Sequence, residues 1–255
     1  VSDTPSALPM PAQPPADAAP GLPTRWMAGL QAAIVCGIPT QLAISAVLAL
    51  VLRVPVFDRG TISFQFFVIL SLADTAAIAL LIRAFLWMSG ERPADVFVGP
   101  RPVRGEVLRG LALVPVVFLA VTGIVLGLRA LVPSMHTVET NPFEAFLQSP
   151  TDAATFVFVV VLAGGVREEL QRAFILHRFA QRLGGARVGL AIFSLTFGAL
   201  HLDQGADVAV AIGLLGLLWG ILYIQRRSAI LPMVNHGAFN AVQVLQGVIA
   251  KSLGA

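Results

Sequence analysis

The sequence predicts an all-α, polytopic transmembrane helix bundle of about seven spans, with six to eight as the range. Three observations predict it. The 255 residues are 56% hydrophobic and only 12% charged, with a mean hydropathy of +0.82; a soluble domain carries roughly 25% charged residues. So little polar surface cannot cover a water-soluble globule. The apolar residues fall in runs near the roughly 20 residues that a hydrocarbon-spanning helix needs. Basic residues then alternate from one loop to the next. Disorder is excluded, because it needs low hydrophobicity and high net charge. The alternating ten-residue segments of a membrane barrel are absent, which leaves helices as the spanning element. A net charge of +3 is no evidence for a nucleic-acid partner, despite a pI near 10.0.

Residues 1–24 hold seven prolines and no Lys or Arg, which reads as a disordered Pro-rich tail rather than a signal peptide. Beyond Arg25 the apolar segments run over 28–52, 64–88, 108–132, 153–177, 187–203, 206–225 and 229–250. Residues 25–150 read as N-terminal transmembrane helices with an interfacial loop, and 151–255 as a second membrane core. The stretch 89–107 is too polar to span and is expected at the cytoplasmic interface, where its arginines can meet anionic headgroups. Cys36 is the only cysteine, so an intrachain disulfide and a Cys-based metal site are both excluded. It reads as a small packing residue.

Of 17 basic residues only Lys251 is a lysine. Arg92, Arg101, Arg104 and Arg109 follow the second segment, Arg178, Arg182 and Arg187 the fourth, and Arg226 and Arg227 the sixth. The intervening loops, 133–152 and 203–207, carry Glu139, Glu144, Asp152, Asp203 and Asp207 without a Lys or Arg. Arg53 and Arg59 depart from this alternation, offset in part by Asp58. The pattern places the N-terminus inside. The expected location is a bacterial inner (plasma) membrane.

Ionisable groups inside apolar segments cost on the order of 2.5–3.5 kcal/mol each and mark function by default. In "GGVREELQRAF", Arg172 is four residues from Glu168 and three from Glu169, so it can reach either. The two glutamates diverge by about 100° on a helix, so one can pair with Arg172 while the other faces a cavity. The plain alternative is a helix end with ordinary ion pairs. His201 lies in the fifth segment, where a lone histidine is usually a packing residue. His236 and Asn240, four apart, share a face of the last segment. Asp74 and Arg83 in the second read as structural, with Arg83 reaching the interface and Asp74 able to line a cavity. At about 1.5 Å per residue, Glu168, His236 and His201 lie roughly 13, 10 and 20 Å from their cytoplasmic helix ends. Those depths let them meet in one cavity.

Paired glutamates with a following Arg, then Phe-x-x-x-His, then His-x-x-x-Asn on successive membrane helices resemble the CPBP family of CAAX proteases and bacteriocin-processing (Abi) enzymes. The residues are Glu168, Glu169 and Arg172; Phe197 and His201; His236 and Asn240; the resemblance covers roughly 153–245. The first motif departs from the family pattern. Only Leu170 and Gln171 separate the glutamates from Arg172, where the family has three residues. Aligning Arg172 with the family Arg turns the glutamate positions into Arg167 and Glu168; aligning the glutamates puts Ala173 at the Arg position.

The resemblance implies intramembrane proteolysis of a membrane-associated protein or peptide. A carboxylate in a low-dielectric cavity becomes a competent base for water. Glu168 or Glu169 would activate that water with His201, while His236 and Asn240 stabilise the oxyanion. A zinc set of Glu168, His201 and His236 is the alternative, but no helical His-Glu-x-x-His is present, and a glutamate mechanism without a cofactor is favoured. Serine catalysis lacks a Gly-x-Ser-x-Gly context at Ser194 or Ser71, and a haem held by His201 and His236 leaves the glutamates unexplained. The rival class is a non-proteolytic scaffold or a proton-coupled transporter, since a polar midplane cavity fits either. Gly213, Gly216 and Gly220 favour close helix packing in every case.

Overall fold

The computed structural model describes residues 21–58 and 60–253. The expected Pro-rich tail lies outside the described residues up to residue 20. Its last four residues lead into the first helix: Pro23 is buried, and the Met27 amide donates to Thr24 Oγ1 at 3.3 Å. That hydroxyl satisfies an amide the helix leaves open.

Ten α-helices follow. α1 (Arg25–Val35) and α2 (Ile38–Ala46) are separated by Gly37 at φ +94°, and α2 continues into a π-helical turn, Val47–Val51. Gly37 fits the left-handed conformation without a Cβ clash, and Pro39 starts the new helix. The pair bends by 52°. A two-residue hairpin, β1 (Phe57–Asp58) with β2 (Thr61–Ile62), joins it to α3 (Phe64–Met88). This hairpin is the one β pairing among the described residues. Ser63 caps α3, its Oγ accepting from the Phe66 amide. Short α4 (Pro93–Phe97) precedes α5 (Val103–Leu131).

The expected interfacial stretch 89–107 is therefore divided. Its last residues begin α5, and α4 is docked rather than free: the Ala229 amide donates to the Phe97 carbonyl at 2.8 Å and Tyr223 to the Val96 carbonyl at 3.2 Å.

α6 (Pro150–Val160) starts with Pro150 behind the capping Ser149. A π-helical stretch, Val161–Glu168, continues it into α7 (Glu169–Arg182). α8 (Ala186–Ala199), α9 (Ala206–Arg226) and α10 (Ile230–Ser252) complete the fold. All seven expected segments are helical. Among the described residues, α3, α5 and α9 are long and apolar enough to cross a membrane, and the bent α1–α2 pair adds a fourth if it counts as one span. Within the apolar window of α5 only 11% is buried; a flank that apolar and uncovered needs lipid, not water.

α8 packs between α7 and α9, and α10 lies against α5 and the π-helical stretch. Small residues set both approaches. A Cβ on Gly165 would lie 2.5 Å from the Gly237 Cα, and one on Gly198 would lie 2.8 Å from the Ala209 carbonyl oxygen. Tight backbone contact is how helices associate where no water drives them together. One apolar core joins α1, α3 and α7 through Val35, Ile78, Ile82, Leu86 and Phe174; another joins α5, α8, α9 and α10 through Val117, Phe197, Trp219 and Phe239.

At one end of the bundle Arg178 is fully buried, its Nε donating to Gln31 Oε1 at 2.7 Å and its Nη1 to Glu91, which also meets His177. These contacts clamp α1 and the α3–α4 turn onto α7. Burial pushes the Glu91 carboxyl up, but the hydrogen bonds and charges of His177 and Arg178 outweigh it and hold the group near 2, down from 4.5. A depressed carboxyl contributes stability above its unfolded pKa that is lost as pH falls towards its folded one. Thermal unfolding in detergent should therefore show the midpoint falling between about pH 4.5 and 2, with Glu91→Gln flattening that slope. Gly165→Ala, which drives a methyl into Gly237, should cost about 1–3 kcal/mol in the same measurement.

Candidate active site

The π-helical stretch ends at Glu168 and regular α-helix resumes at Glu169. Its sequence, VLAGGVRE, holds two glycines against α10. Wide turns of this kind recur at functional sites. This junction sends the adjacent glutamates to different environments.

Glu169 is sealed. Its side chain is 1% exposed, and its Oε1 receives both Arg172 Nη1 and, at 2.9 Å, His236 Nδ1. Arg172 is itself fully buried, with Nε and Nη2 lacking hydrogen-bond partners. Three rings surround its guanidinium instead, Phe193 at 4.9 Å, Phe197 at 5.0 Å and Trp219 at 5.5 Å. Each such contact stabilises a desolvated cation by up to about 2 kcal/mol. Trp219 also stacks on His236, with centroids 3.8 Å apart and planes 18° apart. The indole is oriented by Asn235, whose Oδ1 accepts from Trp219 Nε1 at 2.8 Å while its Nδ2 donates to the Gly110 carbonyl.

Glu168 faces the other way. It lines a cavity of about 710 Å³ bounded by α1, α2, α7 and α8, together with Arg167, Gln41, Gln171, Phe197 and His201. Glu168 Oε1 accepts from Arg167 Nη2 at 3.2 Å, and Oε2 lies 3.8 Å from His236 Nε2. Among the described residues no hydrogen bond reaches Oε2. Cys36, read from sequence as packing, lines this cavity too.

His201 does not sit within a long fifth span. α8 stops at Ala199, after about 21 Å of helix at 1.5 Å per residue, and His201 lies in the turn beyond it. Its Nδ1 is 2.7 Å from the Phe197 carbonyl oxygen. A carbonyl only accepts, so Nδ1 carries the hydrogen and Nε2 is left bare to take a proton. Asn240 lies beside Gly164, Nδ2 donating to the Val160 carbonyl at 3.4 Å. It does not line the cavity.

Glu168, Glu169, Arg172 and His236 are thus in one contact chain, His201 joins Glu168 across the cavity, and Asn240 stands behind. Asp74 and Arg83 do not meet: Arg83 is exposed, whereas Asp74 is buried and accepts from Arg167 Nη1 at 2.8 Å. Asp74 is absent from the cavity wall but holds a residue on it. Arg167, Trp219 and Asn235 had no assigned role in the sequence. The apolar setting of "VREEL" could have flagged Arg167, but nothing in spacing pointed to Trp219. Among the described residues no group of three or more His, Cys, Asp or Glu is placed to hold a metal ion. The candidate set Glu168, His201 and His236 is not such a group among those residues.

Residues 150–242 match the family described as type II CAAX prenyl endopeptidase Rce1-like. The matched segment takes in Glu168, Glu169, Arg172, His201, His236 and Asn240. The curated proteins and the solved structures gave no match.

Arg172→Ala would strand Glu169 as an unpaired buried charge, a change that typically costs about 3–5 kcal/mol. Thermal unfolding in detergent should register that loss. Arg172→Lys should recover only part of it, because a compact ammonium cannot lie against three rings and keep the ion pair.

Proposed function

With residues 150–242 assigned to the CPBP/CAAX protease family, we propose that the protein is an intramembrane endopeptidase in which Glu168 activates water against a membrane-associated protein or peptide. The observation that carries the proposal is the division of labour between the glutamates. A base needs an uncommitted oxygen open to substrate; Glu168 Oε2 has one, whereas Glu169 is consumed by Arg172 and His236.

In this mechanism a water held between Glu168 and His201 gives a proton to Glu168 Oε2 as its oxygen bonds to the scissile carbonyl carbon. The carbonyl π electrons move onto oxygen. His236 Nε2, facing the same carboxylate, and the Asn240 amide donate to that oxyanion, which requires His236 to carry both ring protons, one of them on Glu169, and Asn240 to release Val160. The oxyanion then collapses, the C–N bond breaks, and the proton passes from Glu168 to the departing amine. Water and peptide are consumed, and an acid and an amine are formed. No redox partner or metal is needed, and a zinc-dependent route has only Glu168, His201 and His236 to draw on.

The apolar α6–α7 rod, α8 and α10 support a reading of about seven spans, with α8 entering partway. The basic loops after the second, fourth and sixth segments support an N-terminus inside a bacterial inner membrane. The rival, a scaffold or proton-coupled transporter, uses the same cavity without cutting.

Purified protein in detergent should cleave a membrane-anchored peptide. Glu168→Gln should lower kcat by about 10²–10⁴-fold while the unfolding temperature stays within a few degrees. Glu169→Gln should instead lower stability, because Arg172 loses its counter-charge. Full activity in Glu168→Gln would refute the mechanism. Activity that survives exhaustive chelation, with no metal by elemental analysis, separates the glutamate route from the zinc route. A partner bound equally by wild type and the Glu168/Glu169 double variant, and never cut, would favour the scaffold.

A further inference from the structure

Arg167 touches two carboxylates that approach from different helices. Its Nη1 donates to Asp74 Oδ2 of α3 at 2.8 Å, and its Nη2 to Glu168 Oε1 at 3.2 Å. Asp74 is completely buried and also accepts from Gln41 Nε2 of α2 at 3.4 Å. Arg167 itself is about nine-tenths buried, yet reaches the cavity wall. A guanidinium is planar and rigid, so holding Nη1 on one carboxylate limits where Nη2 can donate. With Asp74 anchored in α3, the fork specifies where Glu168 Oε1 sits. Oε2 is left towards the cavity.

We propose that Arg167, anchored by Asp74, is the positioning residue that holds Glu168 with one oxygen occupied and the other presented to the cavity. This rests on the reading of Glu168 as the base, and it adds a fourth helix, α3, to the three motif-bearing elements. A glutamate on the wall of a cavity this size has side-chain torsions free to swing it away from substrate. Misplacement of a reacting group by about 1 Å costs on the order of 10²-fold in rate. The pair also sets charge. Without Arg167, Asp74 and Glu168 lose the cation they share, which favours the protonated form of each. Without the Asp74 charge, Arg167 serves Glu168 alone. The other ionisable groups around Glu168 are His236 from α10, His201 from the turn after α8, Glu169 and Arg172 on α7, and Arg25 of α1 farther along the cavity.

The test compares full-length Arg167→Gln, Arg167→Lys and Asp74→Asn with wild type, following cleavage of one membrane-anchored peptide across pH. Infrared titration of the Glu168 carboxyl band, assigned by its loss in Glu168→Gln, is recorded on the same samples. Arg167→Gln should lower kcat about 10²-fold with KM within about twofold. Its acid limb should move up by about 1 pH unit or more. Arg167→Lys should return the limb but only part of kcat, because the charge is restored and the fork is not. Asp74→Asn should move the limb the opposite way, downward. A purely structural pair would lower folded yield and shift neither limb. Limbs that stay put or move together overturn the proposal, as does a change confined to KM. If wild type cuts nothing, the peptidase reading fails separately, and the infrared arm still decides: an unmoved Glu168 titration in Arg167→Gln overturns the Arg167 role.

Discussion

The fold of the C-terminal half turns on one buried ion pair, Glu169 with Arg172. Neither side chain reaches water, and an arginine buried without full compensation is strongly destabilising. One carboxylate cannot satisfy five donors. The remainder of the guanidinium is enclosed by rings from two other helices, Phe193 and Phe197 on α8 and Trp219 on α9. Trp219 then stacks on His236 of α10, which donates back to Glu169. Four helices are fixed around a single cation. The histidine face that meets Glu168 is set by this sealed cluster before any substrate arrives.

The second constraint is the π-helical stretch ahead of Glu168. A regular helix also separates neighbouring residues by about 100°, but this junction combines that turn with glycines that bring α10 against the chain. Gly165 meets Gly237 backbone to backbone, and Gly164 sits under Asn240. The glutamates and the His236–Asn240 face of α10 are thereby brought together across a backbone contact. The shortened spacing between the glutamates and Arg172 is accommodated here: Arg172 pairs with Glu169 at three residues and leaves Glu168 free.

Much of this was legible in the sequence. Low charge content and the apolar runs gave a helical membrane bundle, and each of the seven expected segments is helical, several with their ends marked by Thr24, Ser63 or Ser149. The opposite fates of Glu168 and Glu169 followed from their angular separation. Spacing could not say which one Arg172 would take, since three and four residues are both in reach. It also could not place His201, because hydropathy runs straight through Leu200 while the helix stops at Ala199. Asp74 was read as structural, but its partner could not be named for a related reason. Its partner lies 93 residues away, and long-range pairs leave no periodic trace in one sequence. Nor does hydropathy reveal that 89–107 docks on the α9–α10 turn, since that contact runs through backbone carbonyls.

What distinguishes a base from a nucleophile at Glu168 is where solvent oxygen goes. Cleavage of a membrane-anchored peptide over many turnovers in heavy-oxygen water, followed by mass spectrometry of product and protein, reads this directly. Direct attack by activated water puts one heavy oxygen in the new carboxyl terminus and none in the Glu168 side chain. Label in Glu168 would mean a covalent acyl intermediate on that carboxylate, and no cleavage at all would mean a cavity built for something other than hydrolysis; either contradicts Glu168 as the base.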